Sequence, residues 1–343
     1  MSVGFISVRP NPVHREFMKG AQSQLFGGWF MGLAKSKKPW LNKLHNRFLS
    51  PASGFFNALP YYNQYDYIVV PDYGLILGVW IKRISSNTKL IYFNYSPFFY
   101  DFPNKSIWKQ RYFRHWLKEI DGMISASYMV DQIAKKEMDV PSVVSYPYGG
   151  EDFAGVNQEP NAKHLIVISS LHKTKGIVRA IEVYRSVRER LGSNPKLFIL
   201  GDGPMKKELA SMVRDDPLIC LLGHQPLEVV QRYLAQSFVL LQLCFLDSFP
   251  VSVLEAGSVG VFPVVSDSVG SSEVLPPELT VGGGEAKEAV EKVMALYRLS
   301  PELRAGLRNR VKEIVSSFCK ERQVADFRAK FWKLLEQLND GQD

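Results

Sequence analysis

Short apolar runs alternate with amphipathic stretches along most of the chain, and each apolar run has the length of a single β-strand. Tyr65 to Val70 and Lys89 to Asn94 are such runs, and Leu75 to Ile84 between them has apolar residues at helical spacing. The alternation begins again at His164 and continues to Leu243. Strands alternating with helices are typical of parallel sheets with crossover helices. The pattern therefore predicts an α/β chain with two Rossmann-like domains.

The same patterns place the other elements. Further strands are predicted at Val3–Val8, Gly122–Ser125, Val143–Tyr146, His164–Ser169, Lys196–Leu200, Ile219–Leu222, Phe238–Leu243 and Val261–Ser266. Helices are predicted at Asn11–Gln24, Trp108–Ile120, Met129–Glu137, Gly176–Gly192, Met205–Val213 and Leu227–Ala235, with a helix-rich tail at Ala286–Leu338. A mostly polar stretch at 156–163 predicts a boundary between domains 1–155 and 156–343.

The segment from Asp247 to Glu273 carries the densest candidate chemistry. Asp247 and Glu255 are separated by seven residues, and an aromatic-proline turn lies between them. Pro250 fits the first turn of a helix, Ser248 is a suitable N-cap, and Gly260 is a suitable C-terminal breaker, which predicts a helix from about Val251 to Val259. The free N–H groups of a helix start attract anions, and two carboxylates beside it can bind vicinal hydroxyls.

A nucleotide sugar offers both a diphosphate and vicinal hydroxyls, so this segment favours a nucleotide-sugar site. The alternative is that Asp247 caps a loop and Glu255 lies on a solvated helix face. A carboxylate between Leu254 and Ala256, in so apolar a helix, is costly to bury without a partner. That cost favours the binding site over the alternative.

Composition limits the class of protein. The chain has 343 residues with 46% apolar content, enough for two folded domains. Three cysteines in unpaired spacing favour a reducing compartment over a disulfide scaffold or a zinc site. There is neither a signal pattern nor an apolar run of about 18 residues. The expected location is therefore cytoplasmic, with peripheral attachment to the cytoplasmic membrane face as an option.

Charge and aromatic residues are concentrated in the front half. Residues 1–155 hold 18 Lys and Arg against 11 Asp and Glu, whereas 156–343 hold 24 against 23, and 30 of the 42 aromatic residues fall at or before Phe153. The stretch from Gly27 to Tyr62 and the segment from Trp108 to Trp116 are both basic and aromatic. Such a face suits an anionic membrane surface and a lipid-linked acceptor. The alternative is a core of aromatics under a solvated basic face, and nucleic acid is a weaker third option because no known binding module occurs.

The second half resembles the nucleotide-sugar domain of retaining glycosyltransferases of family 4, which have the GT-B fold. Several motifs occur in the family's order: S-S-L-H-K-T-K-G at 169–176, L-F-I-L-G-D-G-P at 197–204, L-L-G-H at 221–224, Y-L-A-Q-S-F-V-L-L-Q at 233–242, and then the acid-bearing segment. The front half is similar only in outline, at 65–70, 121–127 and 146–153, to the family's acceptor domain. The resemblance implies two Rossmann-like domains facing across a cleft, with C-terminal helices crossing back to the first domain.

The resemblance also implies roles for single residues. Lys175 would contact the diphosphate, Asp247 the hydroxyls of the donor sugar, and Glu255 the ribose hydroxyls, so Asp247 and Lys175 are the expected catalytic residues. The other expected donor-binding residues are Ser170, Lys173, Gly201, Gly203, His224, Ser248, Phe249, Pro250 and Val251. Among these, the amides of Ser248, Phe249 and Val251 would reach sugar and phosphate, while Pro250 has no amide to offer.

The chain departs from the family pattern at several positions. Asp247 stands where Glu is usual, and Ser170 stands where Arg is usual, so that Lys173 or His172 would have to supply the charge. Arg9 to Pro12 replaces the usual glycine-rich loop, and the usual acceptor-domain histidine is not evident near Asn94 to Pro97. These departures affect acceptor binding more than donor binding.

The implied reaction is sugar transfer with retention at the anomeric carbon, from a UDP- or GDP-sugar to a glycan or a lipid-linked glycan. No Asp-x-Asp occurs, so we expect neither a metal nor another cofactor, and the leaving-group charge would be met by Lys175 and helix amides. The alternative from another class is a GT-B relative that binds a nucleotide sugar without transfer, or a sugar-nucleotide epimerase of the same fold.

Overall fold

The computed structural model describes residues 2–7, 16–17, 25–27, 59–159 and 162–340. Three sequence predictions lie largely outside the described residues. These are the helix at Asn11–Gln24 for the most part, the turn at 9–12, and the basic aromatic stretch as far as residue 58. The described residues form two compact units, one reaching Ser145 and continuing from Val324, the other Tyr146–Gln323.

The first unit contains a parallel sheet with helices. Its described strands are β1 (Val3–Ser7), β2 (Leu25–Gly27), β3 (Tyr67–Val70), β4 (Lys89–Asn94), β5 (Gly122–Ser125) and β6 (Ser142–Val144), in the order β2-β1-β3-β4-β5-β6. Its described helices include α1 (Leu75–Ile84), α2 (Ile107–Leu117) and α3 (Tyr128–Lys135). All four residues of β3 and of β5 are buried. Strands of this kind are typical of a parallel sheet that is covered on both faces.

The second unit repeats this architecture. Its strands are β7 (His164–Ile168), β8 (Leu197–Leu200), β9 (Ile219–Gly223), β10 (Ser237–Gln242), β11 (Phe262–Ser266) and β12 (Thr280–Val281), in the order β12-β11-β10-β7-β8-β9. Its helices are α4 (Ile177–Leu191), α5 (Lys206–Met212), α6 (Leu227–Ala235), α7 (Val251–Val259), α8 (Ala286–Arg298) and α9 (Pro301–Ser316). Leu165 and Val167 of β7 enter one hydrophobic cluster and Ile166 enters another, because strand side chains alternate between faces. The sheet is therefore covered by an apolar core on both sides.

The second unit begins at Tyr146, ten residues before the boundary drawn from the polar stretch. Phe153 is 2% exposed and lies in the same cluster as Val253 and Ala256, and the Tyr146 ring is 5.3 Å from that of Phe249. Residues 146–153 were expected to belong with the acceptor domain, and that expectation was wrong. Their aromatic side chains pack into the second unit instead, and no local sequence pattern specifies that choice.

The last helix, α10 (Lys320–Asp340), begins in the second unit and belongs to the first unit from Val324 on. In the first unit, the Phe327 ring stacks on Phe17 at 4.5 Å, and Leu338 packs against Gly122 of β5. The expected return of the C-terminal helices to the first unit is therefore confirmed for α10, whereas α8 and α9 belong to the second unit. Among the described helices, none combines the length and the apolar character that crossing a membrane requires.

Candidate functional site

The order of strands in the second sheet fixes where a ligand can bind. The chain runs from β7 outward through β8 to β9, then returns to β10 on the other side of β7 and continues to β11 and β12. Strands β7 and β10 are hydrogen-bonded neighbours, and the connections that follow them leave in opposite directions. Ligands of open α/β sheets bind at the carboxyl ends of strands at such a switch point. The segments after β7 and β10 carry Lys175 and Asp247, respectively.

Lys175 and Asp247 form an ion pair at this switch point. Lys175 Nζ donates to Asp247 Oδ2 at 2.5 Å, and both side chains are mostly buried. Burial alone lowers the pKa of Lys175, but the Asp247 carboxylate outweighs burial, so the pKa of the ammonium group lies above its usual value. Lys175 is therefore a positive charge that persists at neutral pH, in a place where an anion can compete for it.

A close approach between two loops holds this pair together. Gly176 has a φ of 65°, and a Cβ added there would lie 1.9 Å from the carbonyl oxygen of Leu243 at the end of β10. The N–H of Phe245 donates to the carbonyl of Thr174 at 2.9 Å. Only glycine fits so near a carbonyl, so the Lys-Gly pair places the ammonium group beside the loop that carries Asp247.

Helix α7 begins directly after that loop. Pro250 occupies the N-cap position, no side chain caps the helix, and Gly260 ends it with a φ of 96°. The prediction that Ser248 is the N-cap was wrong, because the helix begins two residues later than a Ser248 cap requires. In the described structure Ser248 Oγ is buried and has no hydrogen-bond partner.

The start of α7 offers backbone donors. Within the described residues, the N–H groups of Ser248, Phe249 and Val251 have no recorded acceptor. The Phe249 side chain itself is core, 6% exposed and packed against Tyr146 and Phe318. With the Ser248 hydroxyl, these amides form a set of unused donors beside Lys175, as anion binding at a helix N-terminus requires.

Glu255 lies in the second turn of α7, and the residue is half-buried. Burial, with a smaller contribution from Asp152, raises the pKa of its carboxyl group to about 7. In the described structure no hydrogen bond or ion pair engages the side chain. A carboxylate that is desolvated and unpaired at neutral pH is a candidate functional group, because a hydroxyl-bearing ligand would relieve its desolvation.

The glycine turn after β8 supports the loop after β7. A Cβ on Gly201 would lie 1.9 Å from the Ser169 carbonyl oxygen, and one on Gly203 would lie 2.6 Å from that of Leu171. Both glycines therefore permit close backbone packing, a role their sequence pattern alone did not specify.

The remaining predicted residues lie on the surface around these loops. Ser170, Lys173 and His224 are exposed; the first two lie in the segment after β7 and His224 follows β9. Neither Lys173 nor His224 forms an ion pair with an acid among the described residues. The pKa of the Asp202 carboxyl is lowered, mainly by Lys206 and by the Gly203 N–H, and His224 contributes a smaller part. The structure thus brings Lys175 and Asp247 into contact, and among the described residues no acid pairs with Lys173 on the same loop.

Sequence analysis missed two features beside the site. A Cβ on Gly150 would approach the Leu254 carbonyl oxygen to 3.1 Å, so the 149–150 turn packs against α7 near Glu255. Arg179 lies 4.3 Å from the centre of the half-exposed Phe245 ring, two residues before Asp247. The double glycine was a usable signal for the first feature, whereas the second depends on a tertiary contact.

Potential metal ligands lie elsewhere in the second unit. Among the described residues, one group of three such side chains lies close enough together to share an ion: Glu151, Cys319 and Glu321. Glu151 already accepts a hydrogen bond from the Lys320 N–H at the start of α10. Asp247 and Glu255 are not in this group, and a metal-free reaction stays a prediction.

Comparison with known proteins adds a family match and a fold match. Residues 150–314 match the family described as glycosyl transferases group 1. One of the subunits of phosphatidylinositol N-acetylglucosaminyltransferase from Arabidopsis thaliana is 29% identical over 171 residues, 48% of this chain and 37% of that protein. The phosphatidylinositol N-acetylglucosaminyltransferase GPI3 subunit from Saccharomyces cerevisiae is 28% identical over 201 residues, 53% of this chain and 44% of that protein. The matches thus span less than half the length of these relatives.

The solved structure of HepE from Anabaena in complex with UDP-glucose is similar over nearly the whole chain. It covers 97% of this chain and 100% of its own, with a TM-score of 0.72 and 16% identity. At that identity the likeness concerns the fold, and both Rossmann-like units take part in it.

Proposed function

We propose that the protein transfers a sugar from a nucleotide-sugar donor to a glycan or lipid-linked acceptor, because residues 150–314 match the glycosyl transferases of group 1 and the chain has the GT-B fold. The contact between Lys175 and Asp247 at the switch point of the second sheet carries this proposal. Assignment to family 4 is part of the proposal and rests on the motifs at 169–176, 197–204 and 247–255.

The donor site is proposed from the Lys175–Asp247 ion pair and from the polar groups around the start of α7. Lys175 and the N–H groups of Ser248, Phe249 and Val251 suit a diphosphate, and Glu255 suits the two ribose hydroxyls. Asp247 follows β10 beside them and suits a hydroxyl of the donor sugar. A UDP- or GDP-sugar supplies all three kinds of partner, and the UDP-glucose bound by the structurally similar HepE favours UDP.

The proposed chemistry is retaining and independent of metal. As the bond to the sugar breaks, negative charge grows on the leaving phosphate, and fixed donors at that place lower the barrier. Lys175 would move from Asp247 toward the phosphate, which frees Asp247 to bind the sugar. The leaving phosphate would then take the proton of the acceptor hydroxyl, as the family resemblance implies. No separate protein base is needed for this step.

The acceptor is proposed to be lipid-linked, on the cytoplasmic face of a membrane. Both of the relatives described above carry names that join phosphatidylinositol to an N-acetylglucosaminyl transfer. The basic and aromatic front half of this chain agrees with such an acceptor.

Calorimetric titration of the full chain with UDP and GDP tests the donor site. We expect one of the two to bind, and Lys175→Gln to weaken binding about 10- to 100-fold, since a charge-assisted hydrogen bond is lost. Lys207→Gln is the matched control, because Lys207 is exposed on α5 and forms no ion pair with a residue in the described part of the chain. Equal affinity in all three proteins would remove Lys175 from the site.

The alternative, binding without transfer, is separated by incubating the chain with the donor alone. A transferase is expected to release free sugar slowly to water, and proton NMR of the first product formed reports whether the anomeric configuration is kept. The same assay with a chelator tests the metal-free reaction. Binding with no release of sugar would favour the non-transferring relative.

A further inference from the structure

Helix α2 presents an exposed face that is both aromatic and basic. Ile107 is 57% exposed and Trp108 is 75% exposed, which is high for large apolar side chains. Arg111 and Tyr112 lie one turn further along, each four residues from one of these, and Lys118 lies two turns beyond Arg111, just past the helix end. Five exposed residues therefore share one side, and we call this side the α2 face: Ile107, Trp108, Arg111, Tyr112 and Lys118.

The segment that carries the α2 face has charge of one sign, and Glu119, which follows it, is paired with Arg83. The segment 102–118 contains five Lys and Arg residues and no Asp or Glu. Lys105 pairs with Asp101, and Arg114 pairs with Glu137. Within the described part of the chain, no acid forms a recorded ion pair with Lys109, Arg111 or Lys118. Their charges are therefore available to an anionic partner.

The opposite side of α2 fixes the helix to the first unit. Trp116 and Leu117 are 6% and 2% exposed and belong to the hydrophobic core that also contains Ile120. The Arg83 guanidinium lies 5.3 Å from the centre of the Trp116 ring. Because this side already supplies the packing, the exposed Trp108 and Ile107 are not needed for the core of the unit.

An anionic lipid surface matches the α2 face better than other partners do. An exposed indole and an aliphatic side chain at one end can enter the headgroup region, while arginine and lysine contact lipid phosphates. A nucleic acid would use the cations but gain little from Ile107, and a protein partner would need a surface of matching shape.

We propose that the α2 face binds the surface of an anionic phospholipid membrane, with Trp108 and Ile107 inserted and Arg111 and Lys118 on lipid phosphates. The inference rests on the proposed function, because it names the surface through which the enzyme would reach a lipid-linked acceptor. The residues proposed for the donor site all belong to the second unit, so the two proposals can fail separately.

Co-sedimentation of the full chain with vesicles tests the inference. Phosphatidylcholine vesicles are compared with vesicles that also contain phosphatidylserine. We expect wild type to prefer the anionic vesicles, and Arg111→Glu with Lys118→Glu to lower partitioning by about tenfold or more, since each lost cation weakens attraction to the surface. Arg214→Glu with Lys207→Glu is the matched control, because it changes the same charges at exposed positions of the second unit.

The aromatic contribution has its own pair of variants. Trp108→Ala is expected to lower partitioning severalfold, while Trp332→Ala, at a Trp 45% exposed on α10, is expected to leave it unchanged. Urea unfolding of every variant confirms that each is folded, and UDP titration of wild type tests the donor site of the second unit separately. Equal loss in the two charge variants, equal binding to both vesicle types, or no vesicle binding would each overturn the inference. Vesicle binding without UDP binding would uphold it and contradict the donor site instead.

Discussion

At the scale of single residues, Glu255 combines a binding role with an unusual acidity. Its pKa is raised to about 7, mainly by burial. The ionised carboxylate can accept hydrogen bonds from both ribose hydroxyls, whereas the protonated acid has less acceptor capacity. Because the ionised fraction grows as pH rises through the pKa, donor affinity should grow with pH in the same range.

We expect the affinity for UDP-glucose to increase about tenfold between roughly pH 6 and pH 8, as one ionisation with a midpoint near 7 requires. Calorimetric titration across this range measures it, and UDP-glucose is suitable because its diphosphate is esterified at both ends. Glu255→Gln should bind more weakly at high pH and show little pH dependence. A dependence that survives in Glu255→Gln would assign the titration to another group.

Single residues also show where sequence analysis reached its limit at the site. The motifs predicted Lys175 and Asp247 separately, and the structure joins them. What joins them is the approach of Gly176 to the Leu243 carbonyl, a tertiary contact with no sequence signal beyond the glycine itself. The pairing of Arg179 with Phe245 is of the same kind, so neither its existence nor its position beside Asp247 could be predicted.

At the scale of elements, local signals predicted most helices and strands well. Helix α7 has the predicted bounds, Val251 and Val259, because proline and glycine mark its two ends. The short strands β2 and β12 were missed, since two or three residues carry no periodicity. The cap of α7 was also missed, because Ser248 had the right residue type whereas the backbone places the N-cap at Pro250.

This correction leads to a test of stability. Ser248→Ala should leave the free energy of unfolding unchanged or slightly increased, because the buried hydroxyl makes no hydrogen bond and its burial is unfavourable. Ser300→Ala is the matched control, since Ser300 does cap α9 by accepting from the Leu303 N–H, and its loss should cost about 1 kcal/mol. Urea unfolding measures both. An equal loss in Ser248→Ala would restore that residue as a cap.

At the scale of the whole molecule, the two units have separate hydrophobic cores and different charge. Among the residues that the structure describes, the apolar clusters around β7 to β11 contain none of the first unit, and the cluster around β3 to β5 contains none of the second. The sequence predicted two such domains from a repeated alternation. It misplaced their boundary because chain packing, rather than the polar stretch, assigns Tyr146 and Phe153 to the second unit.

Separate cores predict that the first unit can be destabilised without damage to the donor site. Phe327 is 1% exposed in the first unit and stacks on Phe17, so Phe327→Ala should cost about 3–5 kcal/mol in that unit. The affinity for UDP under native conditions should stay within about twofold, since Lys175, Asp247 and Glu255 all belong to the second unit. Urea unfolding and calorimetry measure the two quantities, with Trp332→Ala as a control on the exposed side of α10. A loss of stability that is confined to the first core leaves the switch point of the second sheet intact. If Phe327→Ala nevertheless weakened UDP binding as strongly as Lys175→Gln, the two units would have to fold as one.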